Sequence, residues 1–452
     1  MKLHIIQPAL AEQRYSCHGC GNCCRDFTVQ LREEDITRLR AQGWQEKLGF
    51  DPIVEFRGTN YLRQREDGAC VFLMENGLCR VHAEFGFEHK PIACQLFPFS
   101  LTPAEGGAVL GINYACQSVL ENKGAPLPSH VKDLERMVKS LPEVKPLSQP
   151  PMLTAKLRAS SREMQAMVSH IDAWLRRSEI DLQTRLDGLA WVIATLSIAK
   201  LENVRERRFG DLLDTLFGAL PDELSHLPVG PPSTGQKKLL RQAAFARVED
   251  PKIGRVEKSG RMRTSFAQLL RSRRFASGRG IAPPIGFDWA EKIDLAQVEE
   301  IEPARDADQI AMTDDLITRW LRATILGGRA WGSGYYGWPM IEGLRAMMLN
   351  VAVVSWLARL HAAGRTPTPS EGGGQGVGSA LDHESPGLTI DDVRAALSRV
   401  DRASGRAKWL GTRTEQWRLK YLYMDDGMRR LIARYGLIEG AAKPQALNIE
   451  RQ

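Results

Sequence analysis

A chain of 452 residues, 43% hydrophobic and 25% charged, has the composition of a globular protein with two or three domains. Its longest apolar runs, 189–199 and 346–358, fall short of the roughly 20 residues that cross a bilayer. Both runs are predicted to be buried helices, and we expect no membrane partner. The net charge of +7 permits anionic partners but does not require them.

The cysteines are the most informative residues of the chain. All eight lie in the first 116 positions: Cys17, Cys20, Cys23, Cys24, Cys70, Cys79, Cys94 and Cys116. Four of them fall in the octet C-H-G-C-G-N-C-C. Two residues between cysteines let both sulfurs turn toward one point, so this spacing is typical of zinc and iron–sulfur sites. A later cysteine taken alone would more often be a buried small apolar residue.

Disulfide bonds are the alternative use of these cysteines, and they require an oxidising compartment. The first residues, MKLHIIQPALAEQ, lack the apolar run of a secretory signal. We therefore expect a cytoplasmic protein whose thiols are reduced and bound to metal.

The cysteine region, 1–125, is predicted to contain short strands at 3–6 and 27–31 and a helix over 32–43. Its clearest local pattern is a hairpin over 70–82, because Asn76-Gly77 is a strong two-residue turn signal. In a regular hairpin Met74 faces Cys79, which leaves Cys79 roughly 13 Å from Cys70 along the ribbon.

This separation decides whether Cys70 and Cys79 can bind the same metal ion, because two sulfurs on one zinc are at most about 4.6 Å apart. Either the hairpin is irregular, or Cys70 and Cys79 serve different metals or opposite ends of a larger cluster. Adjacent Cys23 and Cys24 suggest the same division, since neighbouring side chains in an extended chain face opposite sides. Eight thiols match two four-thiolate sites in number.

The rest of the chain is predicted to be mostly helical. Apolar residues at three- and four-residue spacing predict helices over 153–176, 180–204, 210–220, 308–326, 339–363 and from 389 onward. The composition of 229–236 predicts a linker, and 364–388 is predicted to be a flexible linker. The basic stretch 252–279 fits a solvated loop better than a nucleic-acid site, because no aromatic residues are interleaved to stack on bases. The aromatic and glycine-rich segment 331–338 is interpreted as packing at a helix junction.

The cysteine region resembles the CxxCxxCC cysteine-cluster family (YkgJ-like), which is described as a zinc- or iron-chelating domain. The matching pieces are CHGCGNCC, CVFLMENGLCRVHAEFG, KPIACQLFPFS and NYAC, in the family's order. Lys90 stands where the family often has arginine before the proline. The resemblance implies that all eight cysteines are the ligand set.

A wider similarity is to the flagellin lysine-N-methylases, which also place a cysteine cluster ahead of a long helical region. It implies a protein substrate and S-adenosylmethionine as a possible cofactor, although no motif for this cofactor is present. The radical S-adenosylmethionine and bacterial ferredoxin spacings both fail because Phe27 stands where a cysteine is needed. His18, His82 and His89 could complete a site, but eight thiols suffice without them.

The sequence thus predicts an α+β protein, with a cysteine-rich metal-binding domain at 1–125, a helical domain at 126–363, a linker at 364–388 and a C-terminal helical segment at 389–452. The expected function is binding of zinc or an iron–sulfur cluster. A protein-modifying enzyme and a zinc-stapled nucleic-acid-binding protein stay open as alternatives. The sequence leaves open whether the protein is an enzyme, which metal it binds and its oligomeric state.

Overall fold

The structure is a computed structural model that describes residues 4–6, 8, 10, 12–56, 58–138, 145–226, 228–249, 260–283, 285, 292–365 and 387–440. It confirms the α+β class. Short strands lie in small sheets near the N-terminus, and the described chain after them is mostly helical.

The strands of the described chain form three small sheets, all within the first 126 residues. They are β1 Ile5–Ile6, β2 Arg14–Tyr15, β3 Ile53–Phe56, β4 Thr59–Leu62, β5 Phe99–Ala104, β6 Gly107–Ile112 and β7 Ala125–Pro126. β5 and β6 form an antiparallel hairpin, and β1 lies parallel to β6 on its other side. β3 pairs with β4, and β2 pairs with β7, in both cases antiparallel.

The helices of the cysteine region are short. They are α1 Cys23–Asp26, α2 Glu33–Ala41, α3 Trp44–Leu48, α4 Arg80–Phe85, α5 Ile92–Leu96 and α6 Gln117–Leu120. The longer helices that follow are α7 Val131–Val138, α8 Ser161–Leu175, α9 Leu182–Ile198, α10 Arg207–His226, α11 Thr234–Val248, α12 Arg261–Ser277, α13 Ala307–Leu326, α14 Met340–Arg365, α15 Ile390–Ala403, α16 Arg413–Leu422 and α17 Gly427–Arg434. Short 3-10 turns occur at Phe87–His89, Leu127–His130, Leu201–Asn203, Gln297–Glu299, Lys408–Gly411 and Met424–Asp426.

The described residues form two hydrophobic cores of unequal size. The large core surrounds α14 and also takes in residues of the first sheet, among them Ile5, Phe99 and Leu110. The small core lies entirely in the cysteine region. Its buried residues are Leu31, Ile36, Leu39, Trp44, Ile53, Leu62, Cys70, Phe72 and Val81. The sheet β1-β6-β5 is therefore packed with the helical body, whereas residues 31–81 have a core of their own.

α14 is long and apolar enough to cross a membrane, but 89% of its most apolar window is buried inside the protein. The helix is therefore the central core helix of the body, as the sequence predicted for 346–358.

The cysteine region is closed at its base by a pair of strands that we call the clasp, Arg14–Tyr15 (β2) and Ala125–Pro126 (β7). The backbone N–H of Arg14 also donates to Oδ1 of Asn122 at 2.7 Å. Ser118 Oγ donates to the Ser16 carbonyl at 2.7 Å. The chain thus enters and leaves the cysteine region at one place.

A buried arginine of α13 joins this base to the helical body. Arg319 is only 4% exposed, and its guanidinium donates to Gln13 Oε1 at 3.1 Å and to the Val119 carbonyl at 3.3 Å. It also pairs with Asp315 at 2.8 Å. Since a buried guanidinium needs partners for its donors, these contacts fix the base of the cysteine region against α13.

The predicted strand at 3–6 is present as Ile5–Ile6, and Leu3 lies outside the described residues. The helix predicted over 32–43 is confirmed as α2, with Gly43 after it at a φ of +67°. The strand predicted at 27–31 is wrong: only Gln30 forms an isolated bridge, to Tyr61.

The helices predicted in the body are confirmed with shifted ends. The one predicted from 153 begins at Ser161, because Ser160 Oγ accepts from the Glu163 amide and the Glu163 carboxylate accepts from the Ser160 amide. The linker predicted at 229–236 ends early, since α11 begins at Thr234. The solvated loop predicted at 252–279 is wrong over Arg261–Ser277, which is α12, and 252–259 lie outside the described residues. Most of the linker predicted at 364–388 lies outside them too.

Candidate metal centre

Two glycines shape the octet that carries the first four cysteines. Gly19 and Gly21 have φ values of +68° and +72°, which residues other than glycine rarely adopt. The chain turns at both positions, and the Cys24 amide donates to the Gly21 carbonyl at 2.9 Å. Helix α1 then begins at Cys23. The octet therefore forms a tight loop that leads into one helical turn.

This loop packs against the turn that precedes Cys79. A Cβ atom on Gly77, whose φ is +81°, would lie 2.7 Å from the carbonyl oxygen of Gly19. A Cβ atom on Gly21 would lie 3.0 Å from Cδ1 of Leu73. The glycines thus permit a close backbone approach, which brings the octet next to Cys79.

The turn itself differs from the regular hairpin that we predicted. Leu73, not Met74, pairs with Cys79. The Met74 amide donates to the Leu78 carbonyl at 2.9 Å, so the loop holds three residues instead of two. α4 begins directly after Cys79. The prediction of Met74 opposite Cys79 is wrong, and the hairpin is irregular. Cys70 and Cys79 therefore do not have the separation of roughly 13 Å that a regular ribbon would impose.

The backbone of Cys70 is hydrogen-bonded directly to the octet. Its amide donates to the Cys24 carbonyl at 2.6 Å, and its side chain is only 8% exposed. Cys24 and Cys79 pack around the same small core. Burial, with a smaller contribution from the Cys79 thiol, raises the pKa of the Cys70 thiol to about 12.

The adjacent cysteines do not face opposite sides. They start a helical turn, and their sulfurs are 3.9 Å apart. Two thiolates on a tetrahedral zinc are about 3.8 Å apart for zinc–sulfur bonds of about 2.3 Å. The expectation that Cys23 and Cys24 point apart is therefore wrong, because it assumed an extended chain.

Lys90 marks one side of this pair. Four thiols act on its ammonium group: Cys94, Cys79, Cys24 and Cys23. Burial alone lowers the pKa of Lys90, but the charges of these thiols outweigh burial and the net shift is upward. Cys94 lies on α5, four residues after Lys90, and burial raises its pKa. We call Cys79 and Cys94 the lysine-side thiols, together with Cys70, whose charge acts on Cys94.

Tyr15 marks the other side. Burial is the largest cause that raises the pKa of Tyr15. Four thiols raise this pKa further: Cys17, Cys116, Cys23 and Cys20. Burial also raises the pKa of Cys116 to about 12, and Cys23 and Cys20 contribute to that rise. We call Cys17, Cys20 and Cys116 the tyrosine-side thiols. Cys23 acts on both sides, so the Cys23–Cys24 pair lies where the two groups meet.

All eight cysteines are free thiols. Thiolates that are buried close together repel each other, so such thiols stay protonated unless a cation is nearby. A bound metal ion supplies that positive charge. Soft thiolates are the ligands that zinc and iron–sulfur clusters prefer. The chemistry of the donor set therefore fits the expected metal.

The structure brings cysteines from several segments near one another, but it does not arrange them as a complete metal site. Within the part of the chain that the structure describes, no group of three or more His, Cys, Asp or Glu side chains is spaced to hold a metal ion. Cys17 and Cys20 are exposed, as is His18. His82 lies with its ring centroid 5.7 Å from that of Phe87. The eight-cysteine ligand set and the three histidines thus stay predictions.

The sequence did not indicate two arginines that lie over an aromatic ring three residues after Cys24. The guanidinium groups of Arg402 and Arg406 lie 4.8 and 5.6 Å from the centroid of the Phe27 ring. Phe27 follows Cys24 by three residues, and its ring contacts Phe97, which follows Cys94 by three. Neighbouring positive charge makes the region suitable for a negatively charged thiolate centre. Nothing in the sequence links α15 to the octet, so no pattern could have found these arginines.

A cleft of about 1030 Å³ adjoins the tyrosine side of the centre. The aromatic rings of Tyr15, Phe99 and His130 lie in mutual contact in its wall, with ring centroids 5.2 to 5.4 Å apart. Charged side chains such as Arg38 and Glu88 also line it. The cleft therefore offers an aromatic wall that includes Tyr15 and a surface of mixed charge.

Comparison with known proteins agrees with this location. Residues 16–118 match the CxxCxxCC family, described as "Putative zinc- or iron-chelating domain". The resemblance expected from the motifs is thereby confirmed for this segment. An uncharacterized protein of Methanocaldococcus jannaschii is 32% identical over 111 residues, which make up 24% of this chain and 38% of that protein. The matched part is thus less than half of that relative's length. No solved structure matches the chain.

Proposed function

We propose that residues 16–118 bind zinc or iron through thiolates of all eight cysteines, which form one contiguous centre. The centre holds either two metal ions or one iron–sulfur cluster. The observation that carries this proposal is the Cys23–Cys24 pair, whose sulfurs are 3.9 Å apart. Cys23 acts both on Tyr15 together with the tyrosine-side thiols and on Lys90 together with Cys79 and Cys94, and Cys70 acts on Cys94 in turn.

Charge in the surroundings supports the same proposal. A zinc ion with four thiolates carries a net negative charge, which needs nearby positive groups when it is partly buried. The charges of Cys94 and Cys79 raise the pKa of Lys90, and Arg402 and Arg406 lie over the Phe27 ring. A reducing compartment such as the cytoplasm would keep the thiols available, and we include it in the proposal.

Metal analysis of the full chain, purified without oxygen, is the direct test. We expect stoichiometric zinc with zinc–sulfur distances of about 2.3 Å by X-ray absorption, or iron with thiolate charge-transfer bands in the visible range. A folded, metal-free protein with eight thiols that titrate freely would overturn the proposal.

Two serine variants test whether the centre is contiguous. Cys23→Ser removes a thiol of the central pair, whereas Cys17→Ser removes an exposed thiol at one edge. We expect Cys23→Ser to lose most of the metal and Cys17→Ser to retain at least half of it. His18→Ala is a matched control in the same loop and should keep the full metal content. Equal metal loss in both cysteine variants would contradict the central position of Cys23.

A protein-modifying enzyme is a second candidate, and the cleft beside Tyr15 is the observation that favours it. A methyl donor and a target side chain would have to lie close together for transfer. Calorimetry of the metal-bound protein with S-adenosylmethionine tests this candidate. Binding that is lost when Tyr15 or Phe99 is changed to alanine would support it, and no binding at millimolar ligand would remove it.

A further inference from the structure

Helix α12 exposes an apolar stripe to solvent. Met262, Phe266, Leu269 and Leu270 are 87%, 63%, 48% and 49% exposed. Their spacing of four, three and one residues places them on one helical face. Long apolar side chains grouped this way on a surface are uncommon unless the surface has a partner.

The opposite face of the helix fixes it to the body. Phe275 is fully buried, with its ring centroid 5.6 Å from that of Phe245 and 5.2 Å from that of Trp356. Arg241 Nε donates to the Ala276 carbonyl at 2.9 Å. The exposed stripe is therefore the outer face of an anchored helix and does not result from fraying.

The charged residues of α12 itself are all arginines. Exposed arginines lie beside it at positions 263, 273 and 274. Arg271 turns inward and pairs with Glu249. Between Glu257 and Asp288 the sequence has no acidic residue. A partner of this face must therefore accept both apolar side chains and positive charge.

A second copy of the chain does not meet this requirement, because face-to-face contact would bring two basic rims together. An anionic lipid surface does meet it. A helix with Phe, Leu and Met on one face and arginines beside them lies in the membrane interface, where its apolar side chains enter the acyl boundary. The arginine stems can follow the apolar residues while their guanidinium groups reach lipid phosphates.

We propose that the outer face of α12 docks the protein on an anionic membrane surface as a peripheral contact. The proposal departs from the sequence-based expectation of no membrane partner, which considered only spanning segments. It is independent of the metal centre, because α12 lies outside residues 16–118.

Vesicle co-sedimentation of the full, metal-bound chain tests the proposal. We expect binding to vesicles of phosphatidylcholine mixed with phosphatidylglycerol, little binding to phosphatidylcholine alone, and weakening by salt. Met262→Ser combined with Phe266→Ser should lower the partition coefficient at least about tenfold, since several inserted CH₂ groups are lost. Arg273→Gln combined with Arg274→Gln should lower it as well. Unchanged circular dichroism and metal content would show that both variants remain folded.

Ile198→Ser is the matched control, because Ile198 is 84% exposed but belongs to α9. It should bind vesicles like the unchanged protein. Absence of binding to anionic vesicles would overturn the proposal. It would also be overturned if the arginine variant lost binding and the Met262–Phe266 variant did not, because the contact would then be electrostatic without insertion. Binding to short duplex DNA in place of vesicles would assign the face to nucleic acid instead.

Discussion

Replacing Gly77 with alanine should damage the metal centre although Gly77 is not a ligand. The residue has a φ of +81°, and a conformation of this kind costs an alanine about 1–2 kcal/mol. The new Cβ would also lie 2.7 Å from the Gly19 carbonyl oxygen, closer than real contacts allow. Overpacking of this kind costs typically about 1–3 kcal/mol. The two effects together predict a loss of about 2–5 kcal/mol in the stability of the cysteine region.

Gly49→Ala separates these two effects. Gly49 has a similar φ of +74°, lies in the same region, and has no atom within 4 Å of the position of a Cβ. It should therefore show only the conformational cost of about 1–2 kcal/mol. The difference between the two variants then measures the contact of the turn with the octet.

The assays are urea unfolding of the metal-bound protein and competition for metal with a chelator. Gly77→Ala should weaken metal binding by roughly 10–100-fold, as is typical when groups that orient ligands are disturbed. Gly49→Ala should leave metal affinity unchanged. If both variants unfold at the same urea concentration and bind metal equally, the octet does not depend on the turn and the reasoning fails.

Two further predictions concern stability. Removal of the metal by a chelator should unfold residues 31–81, which contain the small core, while β5, β6 and the helices of the body stay folded, because metal binding energy contributes to folding. Limited proteolysis would test this, and an unchanged digestion pattern would contradict it. Asp392→Asn should cost about 3 kcal/mol or more near neutral pH, because it breaks a buried network with His361. Burial raises the pKa of Asp392, but hydrogen bonds from His361 and other donors outweigh it and the net pKa is lowered. The native carboxylate thus stabilises the fold above its unfolded-state pKa and loses this effect as the pH falls through its folded pKa. The difference between variant and parent in thermal unfolding should therefore shrink in acid, and a constant difference would contradict the assignment.

The sequence predicted the helical body well, because its long periodic segments are governed by burial of one face or of the whole helix. It failed where a short pattern fitted two structures. Asn76-Gly77 favours a two-residue turn, but the Gly19 and Gly21 loop packs against Gly77 and a three-residue loop forms. The alternation at 27–31 resembles a strand, yet Phe27 instead contacts Phe97 and the arginines of the α15 end.

The sequence indicates the candidate ligands of the site, which stay predictions, but it does not indicate their arrangement. Thiol spacing predicted metal binding, but it did not reveal that the Cys23–Cys24 pair lies between two groups of thiols. That arrangement depends on contacts between distant segments, such as the hydrogen bond from Cys70 to Cys24. The role of Lys90 likewise depends on burial beside four thiols, which a single sequence does not display.

The clasp has a consequence for the entropy of the cysteine region. Because Tyr15 and Ala125 are paired and joined to α13 through Gln13 and Arg319, the segment between them is a loop whose ends are held together while the helical body is folded. By the loop-closure relation that is applied to disulfides, closing a loop of roughly a hundred residues removes about 4.7 kcal/mol of chain entropy. A covalent cross-link is therefore unnecessary here. The helical body performs the role of a disulfide and leaves every cysteine free to serve as a ligand.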